Sequence, residues 1–241
     1  MPSYEETVAK ELRLWQRQML KKPSAANRLA KATQKWINNL IPEKIHEIIT
    51  TTIKQMTRGV LFGAEFITPL PAPAVSFEQQ EDEVRRRISF YKTAGAAEGG
   101  VAGAGGFWLA LADFPLLLSL KMKLLFDITA CYGYPINDYR ERIFLLHIFQ
   151  LAFSSQERRR EVYLQIVDWE EKSKLLPEDI HAFDWRTFQQ EYRDYIDLAK
   201  MAQLIPGIGA AVGVVVNYQL IDKLGKTAMN AYRMRKKGKF E

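Results

Sequence analysis

The sequence predicts an all-α protein, a multi-helix bundle built around two glycine-rich apolar helical segments, and three observations carry that expectation. Hydrophobic residues recur at helical spacing along nearly the whole chain, and runs alternating at the strand period are scarce. Pro, Gly and Asn punctuate these stretches where helix ends are needed. Two segments, 95–134 and 204–228, combine glycines four residues apart with long apolar runs. With 241 residues and nothing linker-like to divide it, the chain is read as a single domain, residues 1–241.

The first helix is expected from Tyr4 to Lys22, where Val8, Leu12, Trp15 and Met19 make one apolar face. Pro23 ends it and Ser24 can cap the next helix. Pro42 suits the first turn of a third helix that lines up Ile45, Ile49, Ile53, Met56 and Val60. Thr68 to Ser76, TPLPAPAVS, cannot be helical, because its prolines remove donors and push their predecessors to extended angles. It is a connector or an extended strap. Ser76 and Gln79 form a capping box for a helix through EDEVRRR, after which glycine and alanine take over at Gly95. Ser154 with Glu157 reads as a second capping box, opening a helix that runs to Leu176 before Pro177. Asp184 reads as the N-cap of a long helix with Phe188, Tyr192, Tyr195, Ala199 and Ala202 on one face, broken at Ile205 and Pro206.

Composition narrows the function classes. One cysteine, Cys131, excludes a disulfide framework; in an apolar stretch it reads as a small buried hydrophobe and fits a reducing cytoplasm. The N-terminus mixes acidic and basic residues where a signal peptide would have a basic region and an apolar run, so export by that route is not expected. A net charge of +6 and a pI near 9.3 suggest attraction to something anionic. The cations are nevertheless spread along the chain, with one concentration at 233–239 and no nucleic-acid motif, so a nucleic-acid partner is not expected.

In the first glycine-rich segment Gly95, Gly99 and Gly103 line one helix face, which lets another backbone approach closely. Each interior glycine costs about 1 kcal/mol against alanine, so tight packing must offset it. In the second, Gly209 and Gly213 repeat the spacing. A shift of 104 positions aligns Gly103 with Gly207, Gly105 with Gly209 and Asp113 with Asn217, a faint internal repeat that a glycine-rich composition could also produce by chance. The stretches between Glu98 and Lys121 and between Lys200 and Asp222 reach the roughly 20 residues a bilayer core requires. Asp113 and Pro115 interrupt the first, and an isolated carboxylate at mid-bilayer costs on the order of 3 kcal/mol. A mean hydropathy of −0.22 is that of a water-soluble protein. Two readings stand: the segments form the core of a helical domain, or they make a hairpin that dips into or lies against a membrane. The tail cations Arg233, Arg235, Lys236, Lys237 and Lys239 would favour an anionic leaflet by about 1 kcal/mol each. As a solvated charge run they would carry no function.

The motifs GGVAGAGG, ADFPLL, ITACYGY, LIPGIGAAVGVVVNYQL and LGKTAMNAYRMR resemble the EcsC family, a bacterial group named for a gene that accompanies an ABC transporter. The resemblance implies a cytoplasmic or membrane-associated helical protein, linked in function to an exporter, with no family active site to carry over. Cys131 stands where the family has a small or aliphatic residue.

Catalytic chemistry finds little support. His46, His147 and His181 lie in no nucleophile context, no zinc-ligand spacing is present, and GVAGAGG follows no strand that would make it a dinucleotide loop. His147, in FLLHIFQ, reads as a satisfied core histidine. No cofactor or metal is expected. Asp113 reads either as the N-cap of the helix beginning after it or as a ligand-orienting carboxylate meeting Asn217 where the glycine segments pack, with Gly103, Gly105, Gly209 and Gly213 as lining. The first functional expectation is a non-enzymatic interaction protein engaging a membrane surface or a membrane protein. The alternative is a soluble module that binds a lipid-like ligand in a glycine-lined pocket, or an enzyme acting on one.

Overall fold

A computed structural model of the chain describes residues 3–22, 43–62, 76–104, 114–154, 158–179, 182 and 210–236, and among these every regular element is a helix. In order they are α1 (Tyr4–Leu20), α2 (Glu43–Phe62), α3 (Phe77–Ala104), α4 (Phe114–Cys131), α5 (Tyr139–Phe153), α6 (Arg159–Ile166), α7 (Trp169–Lys172) with a 3-10 turn at Ser173–Leu175, and α8 (Ala210–Arg235). The expectations at Ser24, Pro42, Pro69 to Pro73, Asp184 and Pro206 lie outside the described residues.

The helix ends follow local chemistry. Ser3 opens α1 with a full capping box, its hydroxyl accepting from Glu6 N–H while Glu6 accepts from Ser3 N–H. Ser76 Oγ accepts from Gln79 N–H at 3.2 Å, as its sequence predicts. At the end of α4, Gly133 adopts φ +79°. Tyr134 N–H donates to Thr129 O and Gly133 N–H to Ala130 O, the paired bonds of a Schellman stop. That turn places Tyr132 and Tyr134 on either side of the helix terminus.

Two expectations are corrected. Ser154 ends α5 instead of opening the next helix: its hydroxyl donates back to Leu151 O at 3.0 Å, and the following helix begins at Arg159. The single helix expected to reach Leu176 is broken at Asp168, which takes a left-handed conformation, φ 54°. Asp is among the few residues that tolerate this geometry, and the break turns Trp169 into the core.

Three helices make the centre. α3 and α8 run antiparallel along their length, since Glu81 meets Arg233, Ile88 meets Gly225 and Gly95 meets Ile221. α4 is also antiparallel to α3, through Gln80 with Cys131 and Tyr91 with Asp127, and therefore parallel to α8. Apart from half-exposed Lys123, α4 is buried continuously from Lys121 to Cys131, as a helix apolar on most faces must be. α3 runs unbroken through the glycine-rich stretch to Ala104. A Cβ on Gly95 would collide with Ile221 Cδ1, and one on Gly225 would lie 2.6–3.0 Å from three carbons of Ile88. Close packing thus offsets the helix cost of glycine at these two positions. α5 closes one side through Phe144 against Tyr232 and Trp169, and α1 packs on the outside through Trp15 on Tyr163.

Candidate functional site

α3, α4 and α8 bring opposite chemistry to their two ends. At the end formed by the start of α3 and the ends of α4 and α8, charge is dense and buried. Glu81, with no exposed surface, falls on the apolar stripe Phe77, Glu81, Val84, Ile88, Tyr91 of α3. Arg233 grips both of its oxygens, Nε to Oε1 at 2.5 Å and Nη2 to Oε2 at 2.6 Å. Tyr132 donates to Oε1 at 2.9 Å and Tyr4 to Oε2. Burial alone would raise the Glu81 carboxyl, but the Arg233 bonds and charge, with the two hydroxyls, hold it below the usual carboxylate range. Tyr4 moves the other way, to about 12, through burial and its bond to Glu81.

A second buried pair lies two residues further along α8. Arg235 is bidentate to Glu141, at 2.6 and 2.7 Å, and its Nε reaches Glu170 at 2.7 Å. Its guanidinium sits 3.8 Å over the Tyr134 ring. These two arginines correct the expectation of a surface basic tail. The side chains of Arg233 and Arg235 are only 5% and 4% exposed, so they hold α8 to α3 and α5 and cannot contact a membrane. Lys236 lies near the Tyr134 ring, 5.2 Å from its centre. Lys237 and Lys239 lie outside the described residues.

Toward the other end charge thins out. Past Lys92, which pairs with Asp222 at 2.7 Å, the only charged side chain described on the three helices is Lys121, itself fully buried. Lys121 Nζ reaches Asn217 Oδ1 and Leu117 O, each at 3.4 Å. Asn217 is also fully buried, and its Nδ2 finds no hydrogen-bond partner among the described residues. The structure therefore places one expected ligand residue, Asn217, where α4 and α8 meet near the glycine-rich end, opposite a lysine that the sequence reading had not singled out. Asp113, Gly105 and Gly209 lie outside the described residues. Gly103 lies in the last turn of α3 and Gly213 in the first turns of α8. Phe114, the residue after Asp113, starts α4.

The signal for Lys121 was available. It continues the stripe Phe114, Leu117, Lys121, Leu125, Ile128, Tyr132, and a cation on such a stripe must bring polar company into the core. Two other residues noted in the sequence, His147 and Cys131, carry no comparable opening. His147 is buried, bonded to Gln150 at 3.2 Å and lowered to about 4 by burial. Burial pushes the Cys131 thiol up to about 11. Among the described residues no His, Cys, Asp and Glu cluster could hold a metal ion. An open groove of about 560 Å³ between α1, α3 and α8 is floored by Ile88 and Met229, and the cations along it are paired: Arg85 with Asp82, Lys92 and Lys226 with Asp222, Arg233 with Glu11 and Glu81.

The fold and its charge distribution define an all-helical protein whose core helices are tied by buried ion pairs at one end and closely packed through glycine toward the other. The model of the EcsC protein family matches residues 6–236, and the chain belongs to that family. It is 44% identical over 222 residues to Protein EcsC of Bacillus subtilis (strain 168), covering 92% of this chain and 91% of that one. It is also 25% identical over 191 residues to the uncharacterized protein YdbA of the same organism, covering 79% and 68%. No solved structure matches.

Proposed function

We propose that the chain is a non-enzymatic, membrane-proximal interaction protein that turns the glycine-rich end of α3, α4 and α8 toward lipid or a membrane-protein partner. The observation that carries this reading is the polarity of the three helices. Their ion pairs crowd one end, while the first two turns of α4 carry no charge and leave Leu116 57% exposed beside exposed Pro115. Residues 105–113, which join α3 to α4 at that end, carry a single charge, Asp113, and include Phe107, Trp108, Leu109 and Leu111. An uncharged helix end with exposed apolar side chains favours contact with lipid or with another apolar surface. Among the described residues no helix is long and apolar enough to cross a membrane, so the contact proposed is peripheral. Where the partner is a protein, the family resemblance points to an ABC exporter.

Membrane fractionation of the tagged chain in a bacterium tests this. The expected result is membrane recovery that resists a salt wash, yields to detergent and falls several-fold in Leu116→Glu. Release by salt alone would assign the contact to tail cations such as Lys237 and Lys239. Recovery wholly in the soluble fraction would overturn the reading and favour the second one, a soluble module with a lipid-like ligand near Asn217, for which the unpaired Asn217 amide is the specific support.

A further inference from the structure

We propose that two copies of this chain pair about a two-fold axis, the cationic outer face of α1 in one copy docking on the acidic segment 168–179 of the other. Lys10, Arg13, Leu14, Arg17, Leu20 and Lys21 are all exposed. At 100° per residue they fall within about 120° of the helix circumference, opposite the packed face of Val8, Leu12, Trp15 and Met19. The four cations of that arc, with Lys22 beyond it, form no side-chain ion pair among the described residues. Glu11, the sole carboxylate from 10 to 22, is turned to Arg233. Leu14, 50% exposed, stands amid Lys10, Arg13 and Arg17, an apolar centre with a charged rim as protein interfaces have.

The same molecule carries the complement. From 168 to 179 five carboxylates stand against two lysines, and Leu175 among them is 86% exposed. Glu178 is exposed with no ion pair among the described residues, and Glu171 has only an exposed one with Lys174, which holds little energy. The two faces flank α6: its Tyr163 packs edge-on with Trp15 of α1, and Lys172 donates to the carbonyl of Leu164, whose own side chain is exposed. With one face on each side of a helix, a half-turn rotation sets both basic faces on both acidic ones, and the interface closes. An anionic membrane would attract the first face and repel the second, so charge complementarity selects a second copy.

Sedimentation velocity of the full chain in lipid-free solution, from about 1 to 200 μM, reads the pairing. A dimer is expected at about 50 mM salt and should weaken at about 500 mM, where exposed charges are screened over a few ångströms. Arg13→Glu with Arg17→Glu, and separately Glu171→Lys with Glu178→Lys, should each weaken association at least about tenfold, because like charges then face each other. An equimolar mixture of the two variants should restore a 1:1 dimer, since each reversed face finds its complement. Leu175→Ser, which leaves every charge in place, should also weaken the dimer and serves if a charge reversal disturbs folding. A native chain that stays monomeric at low salt, a dimer indifferent to both reversals, or a mixture that fails to pair overturns the assignment. Dimerisation is independent of the membrane-proximal reading: it is measured without lipid and membrane recovery without it, so either can fail while the other stands.

Discussion

At one end of the α3, α4 and α8 core, Glu81 and Arg233 meet as a buried pair with every strong contact made; toward the other, Gly95 lets Ile221 rest on a helix backbone and Asn217 keeps a buried donor open. The same three helices thus use two kinds of cohesion. Buried charge fixes geometry strictly, because each ion must find its partner or bear its desolvation. Glycine contacts tolerate sliding, because dispersion between close backbones is individually weak and non-directional. An end of the second kind is the one that can admit a ligand or a surface.

The largest effect should come from breaking the charged end. Arg233→Ala strands Glu81 in the core and is expected to cost about 3–5 kcal/mol in urea unfolding. The double substitution Glu81→Leu with Arg233→Met should recover at least half of that loss. A loss below about 1 kcal/mol for the single change would mean that water reaches Glu81 and that the two ends do not differ as described. At the glycine contacts, Gly225→Ala meets the rigid branched part of Ile88 and is expected to cost about 1–3 kcal/mol, relieved by Ile88→Ala. Gly95→Ala meets the ends of two flexible side chains, Ile221 Cδ1 and Leu120 Cδ2, and the helix preference of alanine offsets part of the strain, so its cost should be smaller.

A pH experiment sharpens the same contrast away from the ion pairs. His147 is held neutral by burial, its pKa lowered from 6.5 to about 4. Between those values the unfolded chain binds the proton and the folded chain does not, so stability falls as pH drops below 6.5 and is complete above it. From pH 7.5 to 5.0 the loss should be about 2 kcal/mol, and His147→Gln should remove most of it. Glu81 acts at lower pH with the same sign: its depressed pKa gives stability that is present above the ordinary carboxylate range and is lost as pH falls through its folded value.

The apolar face of α1, the cap at Ser76 and the buried state of Cys131 and His147 were legible because each depends on a few neighbouring residues. The fate of Arg233 and Arg235 was not. In the sequence they belong to a run of cations ending at Lys239, and only the antiparallel pairing of α8 with α3 brings Glu81, 152 residues away, into reach. The clue lay in Glu81 itself, a carboxylate on an apolar stripe, which requires a buried cation from elsewhere in the chain. Asn217 was found by its matching position in the faint repeat; the apolar stripe of α4 marks Lys121 as buried, but its place beside Asn217 follows from the parallel course of α4 and α8, which no local pattern encodes. Ser154 misled because a serine three residues before a glutamate satisfies the capping pattern even when its hydroxyl serves the preceding helix.

The orientation of the two ends toward a membrane can be measured directly. Because Cys131 is buried and its thiol is pushed up to about 11, a cysteine introduced at the surface can be labelled selectively. An environment-sensitive fluorophore placed by Leu116→Cys at the glycine-rich end, or by Glu78→Cys at the charged end, would be titrated with vesicles containing anionic lipid. The account predicts a blue shift and protection from iodide quenching at position 116 and no change at 78. Equal responses at the two positions, or a response at 78 alone, would contradict it.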